Sequence, residues 1–66
     1  MWVTVSVVGE DTHRVDVAEG DSYADLLDPL EYSPHEVSVL VEGRPVPEDA
    51  PVETDHVEVI RLVKGG

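Results

Sequence analysis

The residues of this sequence best suited to chemistry are its last two. Gly65 and Gly66 close the stretch "RLVKGG", directly after an apolar, alternating run. Glycine has no Cβ, so a narrow channel can close on both faces of the backbone, and the Gly66 carboxylate is unhindered. A carboxylate is a poor electrophile; an amine, thiol or sulfide displaces a leaving group from it only after conversion to an activated form such as an acyl-adenylate. The chemistry expected here belongs to another protein's active site. This chain is then a substrate and not an enzyme, binds no cofactor, and leaves ATP to its activating partner.

The remaining reactive side chains are scattered. His13, His35 and His56 fall in three different segments, and "DHVE" at 55–58 offers two or three donors on one strand without a fuller ligand set, so no metal site is expected. Fifteen Asp and Glu residues make chance carboxylate pairs unavoidable, which removes the case for acid–base catalysis. The absence of cysteine excludes disulfides, thiolate metal sites and cysteine nucleophiles. "GEDT" and "EGDS" lack the glycine spacing of phosphate loops.

A short chain rich in one branched side chain must position that terminus. Sixty-six residues suffice for one domain, and fourteen valines with no phenylalanine favour pleated strands over helices. Val3, Val5 and Val7 alternate with Thr4 and Ser6. "GEDT" at 9–12 supplies a turn, and Val15 and Val17 continue the alternation, which predicts a hairpin. In "SYADLLDPL", Ser22 caps a helix with Asp25 at the third helical position, while Tyr23, Leu26, Leu27 and Leu30 fall on one face. Pro29 removes an interior hydrogen bond and should end that helix near Asp28, leaving a turn to deliver Leu30 to the core. "SPHE" predicts a single helical turn capped by Ser33 and closed by Glu36. Val37, Val39 and Val41 form a third strand, a proline-bounded edge strand is expected near Val46, and Val57 and Val59 mark the last strand. The order is that of an α+β domain: a mixed four- or five-stranded sheet with one short helix packed on one face. The β-grasp arrangement, with the first and last strands parallel and adjacent, satisfies it. Residues 1–63 form that domain and residues 64–66 a flexible diglycine tail.

The charge balance limits the partners. Four basic against fifteen acidic residues give a formal net charge of −11, which repels nucleic-acid phosphates and acidic membranes. Many carboxylates, many valines and the single lysine Lys64 point to a protein of a salt-accumulating halophile. No apolar run approaches the ~20 residues that span a bilayer, and "MWVTVSVV" lacks a basic export signal, so a cytoplasmic monomer is expected.

"SYADLL" at 22–27, "SPHEVSVLVEGRPVPED" at 33–49 and the final diglycine together resemble the ubiquitin-like small archaeal modifier proteins, relatives of the sulfur carriers of molybdopterin and thiamine synthesis. The resemblance covers the whole chain. It implies a β-grasp fold and adenylation at Gly66 by a ubiquitin-activating-type enzyme. Isopeptide bonding to target lysines would follow, or conversion to a thiocarboxylate that sulfur-transfer enzymes use in tRNA thiolation. A dedicated sulfur carrier, such as a molybdopterin synthase small subunit, and a noncovalent interaction domain remain as alternatives. Glu58 stands where the resemblance expects a lysine for chaining, so self-conjugation would start from Lys64 or the amino terminus. Leu40 faces outward and Ile60 and Leu62 have mixed or outward parity; on neighbouring strands the three would form an apolar docking cluster, the alternative being scattered surface hydrophobics. Arg61 and Lys64 beside the tail would pair with an acidic groove of the activating enzyme or simply aid solubility near the end.

Overall fold

A computed structural model describes residues 1–62. The alternating valines build its centre. β1 (Trp2–Val7) and β2 (Thr12–Asp16) form the expected antiparallel hairpin, with Val3 opposite Val15. The last strand, β5 (His56–Arg61), lies parallel to β1 with Val5 opposite Val57 and Val7 opposite Val59. On its other side β5 runs antiparallel to β3 (Val37–Val41), and β4 (Arg44–Pro45) forms the edge, so the five strands are ordered β2-β1-β5-β3-β4. The first and last strands are thus parallel neighbours in the middle of one mixed sheet, the β-grasp order. Val3, Val5, Val57 and Val59 are at most 1% exposed, because every second residue of the two central strands faces the same core.

A parallel pair needs a crossover, and the helix lies within it. α1 (Tyr23–Leu27) starts at Ser22, whose Oγ accepts from the Asp25 amide at 3.2 Å while Asp25 Oδ2 accepts from the Ser22 amide at 2.9 Å. This capping box contributes about 1 kcal/mol. Five residues are too few to hold a helix in isolation, so tertiary contacts carry it. Tyr23, Leu26 and Leu27 are buried against the sheet, and the Tyr23 and Ala24 amides donate to the carbonyls of Ala50 and Glu48. Pro29 acts as expected: α1 ends at Leu27, a 3-10 turn covers Asp28–Leu30, and Leu30 packs half-buried against the core.

Two expected elements differ in extent. "SPHE" makes one turn, capped as expected. The Glu36 amide donates to the Ser33 carbonyl at 2.9 Å and the His35 amide to Ser33 Oγ at 3.2 Å, but β3 begins at Val37 and the turn is not continued into a helix. Val37 is buried opposite Arg61, and that register claims the backbone before a helix can close. The edge strand is Arg44–Pro45, slightly before Val46, because Glu42 and Gly43 take φ of 53° and 81° and form a two-residue turn that pairs Val41 with Arg44. Val46 continues the ladder through its amide bond to Val39. Lys64, Gly65 and Gly66, and with them the expected tail 64–66 and its boundary at residue 63, lie outside the described residues.

Candidate functional site

The last strand that leads to the diglycine also carries the outward apolar side chains. Leu40 pairs with Glu58 and Ser38 with Ile60, so Leu40 and Ile60 are diagonal neighbours on the sheet face opposite the helix. The Leu62 amide donates to the Glu36 carbonyl at 2.7 Å, which extends the β3–β5 pairing by one residue and puts Leu62 on the same face as Ile60. On the β1 side the Val8 amide donates to the Val59 carbonyl at 2.9 Å, which sets Val8 beside Ile60. Ile60, Leu62 and Val8 are 37%, 52% and 56% exposed, while Leu40 is half-buried. Val8 was absent from the docking cluster read from sequence. Its outward parity is visible there, but the register of a parallel pair, which brings it to Ile60, is not.

Arg61 has the opposite parity. It ends β5 on the helix side of the sheet, away from Ile60 and Leu62, and it already has partners. Arg61 Nη1 donates to Glu10 Oε2 at 2.9 Å, and the guanidinium carbon lies 5.7 Å from the centre of the Tyr32 ring. The hydrogen bond and the charge of Glu10 hold the Arg61 guanidinium above its ordinary range, so it stays cationic at any working pH. Of the residues expected at the docking site, the structure brings Leu40, Ile60 and Leu62 to one face and sends Arg61 to the other.

The histidines stay apart. His56 Nε2 lies 3.3 Å from Ser6 Oγ on the open face, whereas His13 is on β2 and His35 in the turn before β3. Among the described residues no three His, Asp or Glu side chains are arranged to hold a metal ion. An open cleft of about 450 Å³ runs between Leu40, Glu42, His56 and Glu58, beside the apolar face. His56, which lines it, makes its side-chain contact with Ser6 Oγ on the same open face. Its position beside Leu40 makes it a margin of the same surface.

The family model described as small archaeal modifier protein 2 matches residues 1–63. A small archaeal modifier protein 2 of Haloferax volcanii is 61% identical over 66 residues, with all of both chains covered. An uncharacterized protein of Archaeoglobus fulgidus is 34% identical over 67 residues, again with full coverage of both. The crystal structure of the H. volcanii small archaeal modifier protein 2 superposes with a TM-score of 0.76 at 59% identity, covering 97% of each chain.

Proposed function

Because the chain belongs to the small archaeal modifier protein 2 family of ubiquitin-like modifiers, we propose that it is activated by adenylation at Gly66 and then joined to target lysines. The observation that carries this reading is β5: a central strand of the sheet runs to Arg61, and the sequence beyond it ends in Gly65 and Gly66. The Gly66 carboxylate attacks the α-phosphorus of ATP bound by a ubiquitin-activating-type enzyme and releases pyrophosphate. A lysine amine then displaces AMP and forms an isopeptide bond. Sulfide in place of the amine yields a terminal thiocarboxylate, which would donate sulfur in tRNA thiolation; the absence of cysteine is compatible with sulfur riding on the terminal acyl group. Lys64, the single lysine, is the side-chain amine from which a second copy would extend.

The test is direct. Purified protein incubated with its activating enzyme and ATP at high ionic strength should gain an AMP adduct at Gly66, read by mass spectrometry, and a chain lengthened beyond Gly66 should gain none. Absence of the adduct from the unextended chain overturns the proposal in favour of a noncovalent interaction domain. In cells, Gly–Gly remnants on target lysines report conjugation, and sulfur in place of oxygen at Gly66 reports carrier use.

The face formed by Val8, Leu40, Ile60 and Leu62 is the surface we assign to the activating enzyme. Ile60→Glu should raise KM for this chain about tenfold, the effect of putting a charge into an apolar contact. It should also lower stability by about 1–2 kcal/mol, because a side chain 37% exposed still covers most of its apolar area against Val8 and Leu40, so KM is read where both proteins are fully folded. An unchanged KM would remove this face from the encounter.

A further inference from the structure

The end of β5 is tied by contacts that the core does not require. Glu10, in the β1–β2 turn, and Arg61 are 51 positions apart in sequence, and their side chains are 42% and 44% exposed. An isolated exposed ion pair restrains little. Here the guanidinium also faces the Tyr32 ring at 5.7 Å, and Tyr32 itself packs against the core. A planar guanidinium held by a carboxylate and an aromatic face has fewer available rotamers than one held by charge alone. The next residue is tied to a third segment, through the 2.7 Å bond from the Leu62 amide to the Glu36 carbonyl. Three separate parts of the chain therefore converge on the end of β5.

We propose that Glu10, Tyr32 and Arg61 form a clamp that fixes the end of β5 at Arg61 and Leu62, and so lowers the cost of ordering this end when the activating enzyme binds. These are positioning residues; none touches the reacting atoms. The proposal rests on the adenylation reading for its consequence but not for its structural part. It also assigns Arg61 a different role from that of a contact to an acidic groove, since one of its five N–H donors and one face of its guanidinium are already engaged by Glu10 and Tyr32.

The kinetic consequence has a distinct sign. Glu10→Gln removes the charge that holds Arg61. If Arg61 met the enzyme directly, freeing it would lower KM or leave it unchanged. A clamp predicts the reverse: KM for adenylation rises about threefold to tenfold, the cost of ordering a rotamer-rich segment on binding, while kcat stays within about twofold. Tyr32→Leu should act in the same direction, Tyr32→Phe should keep the ring and the parent KM, and the exchanged pair Glu10→Arg with Arg61→Glu should recover part of the loss. A KM unchanged or lowered in Glu10→Gln, or a fall in kcat alone, overturns the proposal.

A second measurement does not use the enzyme. Amide hydrogen exchange at Leu62 should quicken at least about threefold in Glu10→Gln, with Val5 and Val57 unchanged. Unchanged exchange at Leu62 overturns the clamp even where adenylation proceeds. Quickened exchange in a chain that the activating enzyme never adenylates supports the clamp and removes the functional reading instead.

Discussion

Leu26→Ala is expected to leave this domain close to its unfolding midpoint. Leu26 is fully buried under the sheet, one of two leucines at 0% exposure, and deleting such a side chain costs about 2–5 kcal/mol including the cavity left behind. At roughly 0.05–0.15 kcal/mol per residue, a chain of 66 residues has only about 3–10 kcal/mol to lose. Nothing else compensates. The sequence contains no cysteine to crosslink and no phenylalanine to fill the gap, and α1 has five residues whose helical state depends on the contacts being removed. Urea titration at high salt reads the effect as a lower midpoint with an unchanged slope. Leu26→Met is the control, since it conserves volume and should cost less than about 1.5 kcal/mol. A midpoint for Leu26→Ala equal to that of the parent would mean that the helix is not packed on the sheet as described.

The features that sequence exposed are those encoded by neighbours in sequence. Alternation of valine with polar residues places Val3, Val5, Val7, Val57 and Val59 inward without knowledge of any partner strand, and the structure buries all five. Ser22 and Asp25 satisfy each other across three positions, and Pro29 acts on its own turn, so α1 and its end are local facts. "SPHE" stays a single turn for a physical reason: Ser33 and Pro34 suit a helix start, but the register of Val37 with Arg61 is a tertiary constraint that stops it there. Glu42 at positive φ is similar, since the two-residue turn that needs it is fixed by the pairing of Val41 with Arg44.

The candidate site divides in the same way. Outward parity identified Leu40, Ile60 and Leu62, but Val8 joins them only through the parallel β1–β5 register. Nothing in the residues around Arg61 signals Glu10 or Tyr32, because both contacts depend on the full sheet order bringing distant turns to one end. One consequence is mechanistic. The apolar face and the clamp lie on opposite sides of β5, so a partner can bury Ile60 and Leu62 without dislodging Arg61. Docking and clamping of the strand end are thereby separable, and Ile60→Glu combined with Glu10→Gln should give additive effects on binding free energy.

The other large effect expected is a gain of stability with salt. The net charge of −11 is confined to a body whose radius of gyration is 10.9 Å, whereas the unfolded chain spreads to about 25 Å and separates the same charges. At 0.1 M ionic strength the Debye length is about 10 Å. Pairs some 20 Å apart then keep a repulsion of a few hundredths of a kcal/mol each, which sums to about 1–2 kcal/mol against the folded state. At 1 M the length falls to about 3 Å and that sum vanishes. For a domain of this size the difference is worth roughly 5–15 °C in Tm, measurable by thermal scans in sodium or potassium chloride, which avoid the surface exclusion of sulfate. Screening and generic salting-out both raise Tm, so a charge variant must separate them. Glu19→Gln, Glu48→Gln, Asp49→Asn and Glu53→Gln together remove four exposed acids that hold no ion pair among the described residues. If repulsion limits stability, this variant melts higher at 0.1 M and shows a shallower rise with salt. Parallel curves for parent and variant would instead assign the salt response to the apolar core, and the acidic surface would then have no part in holding the fold.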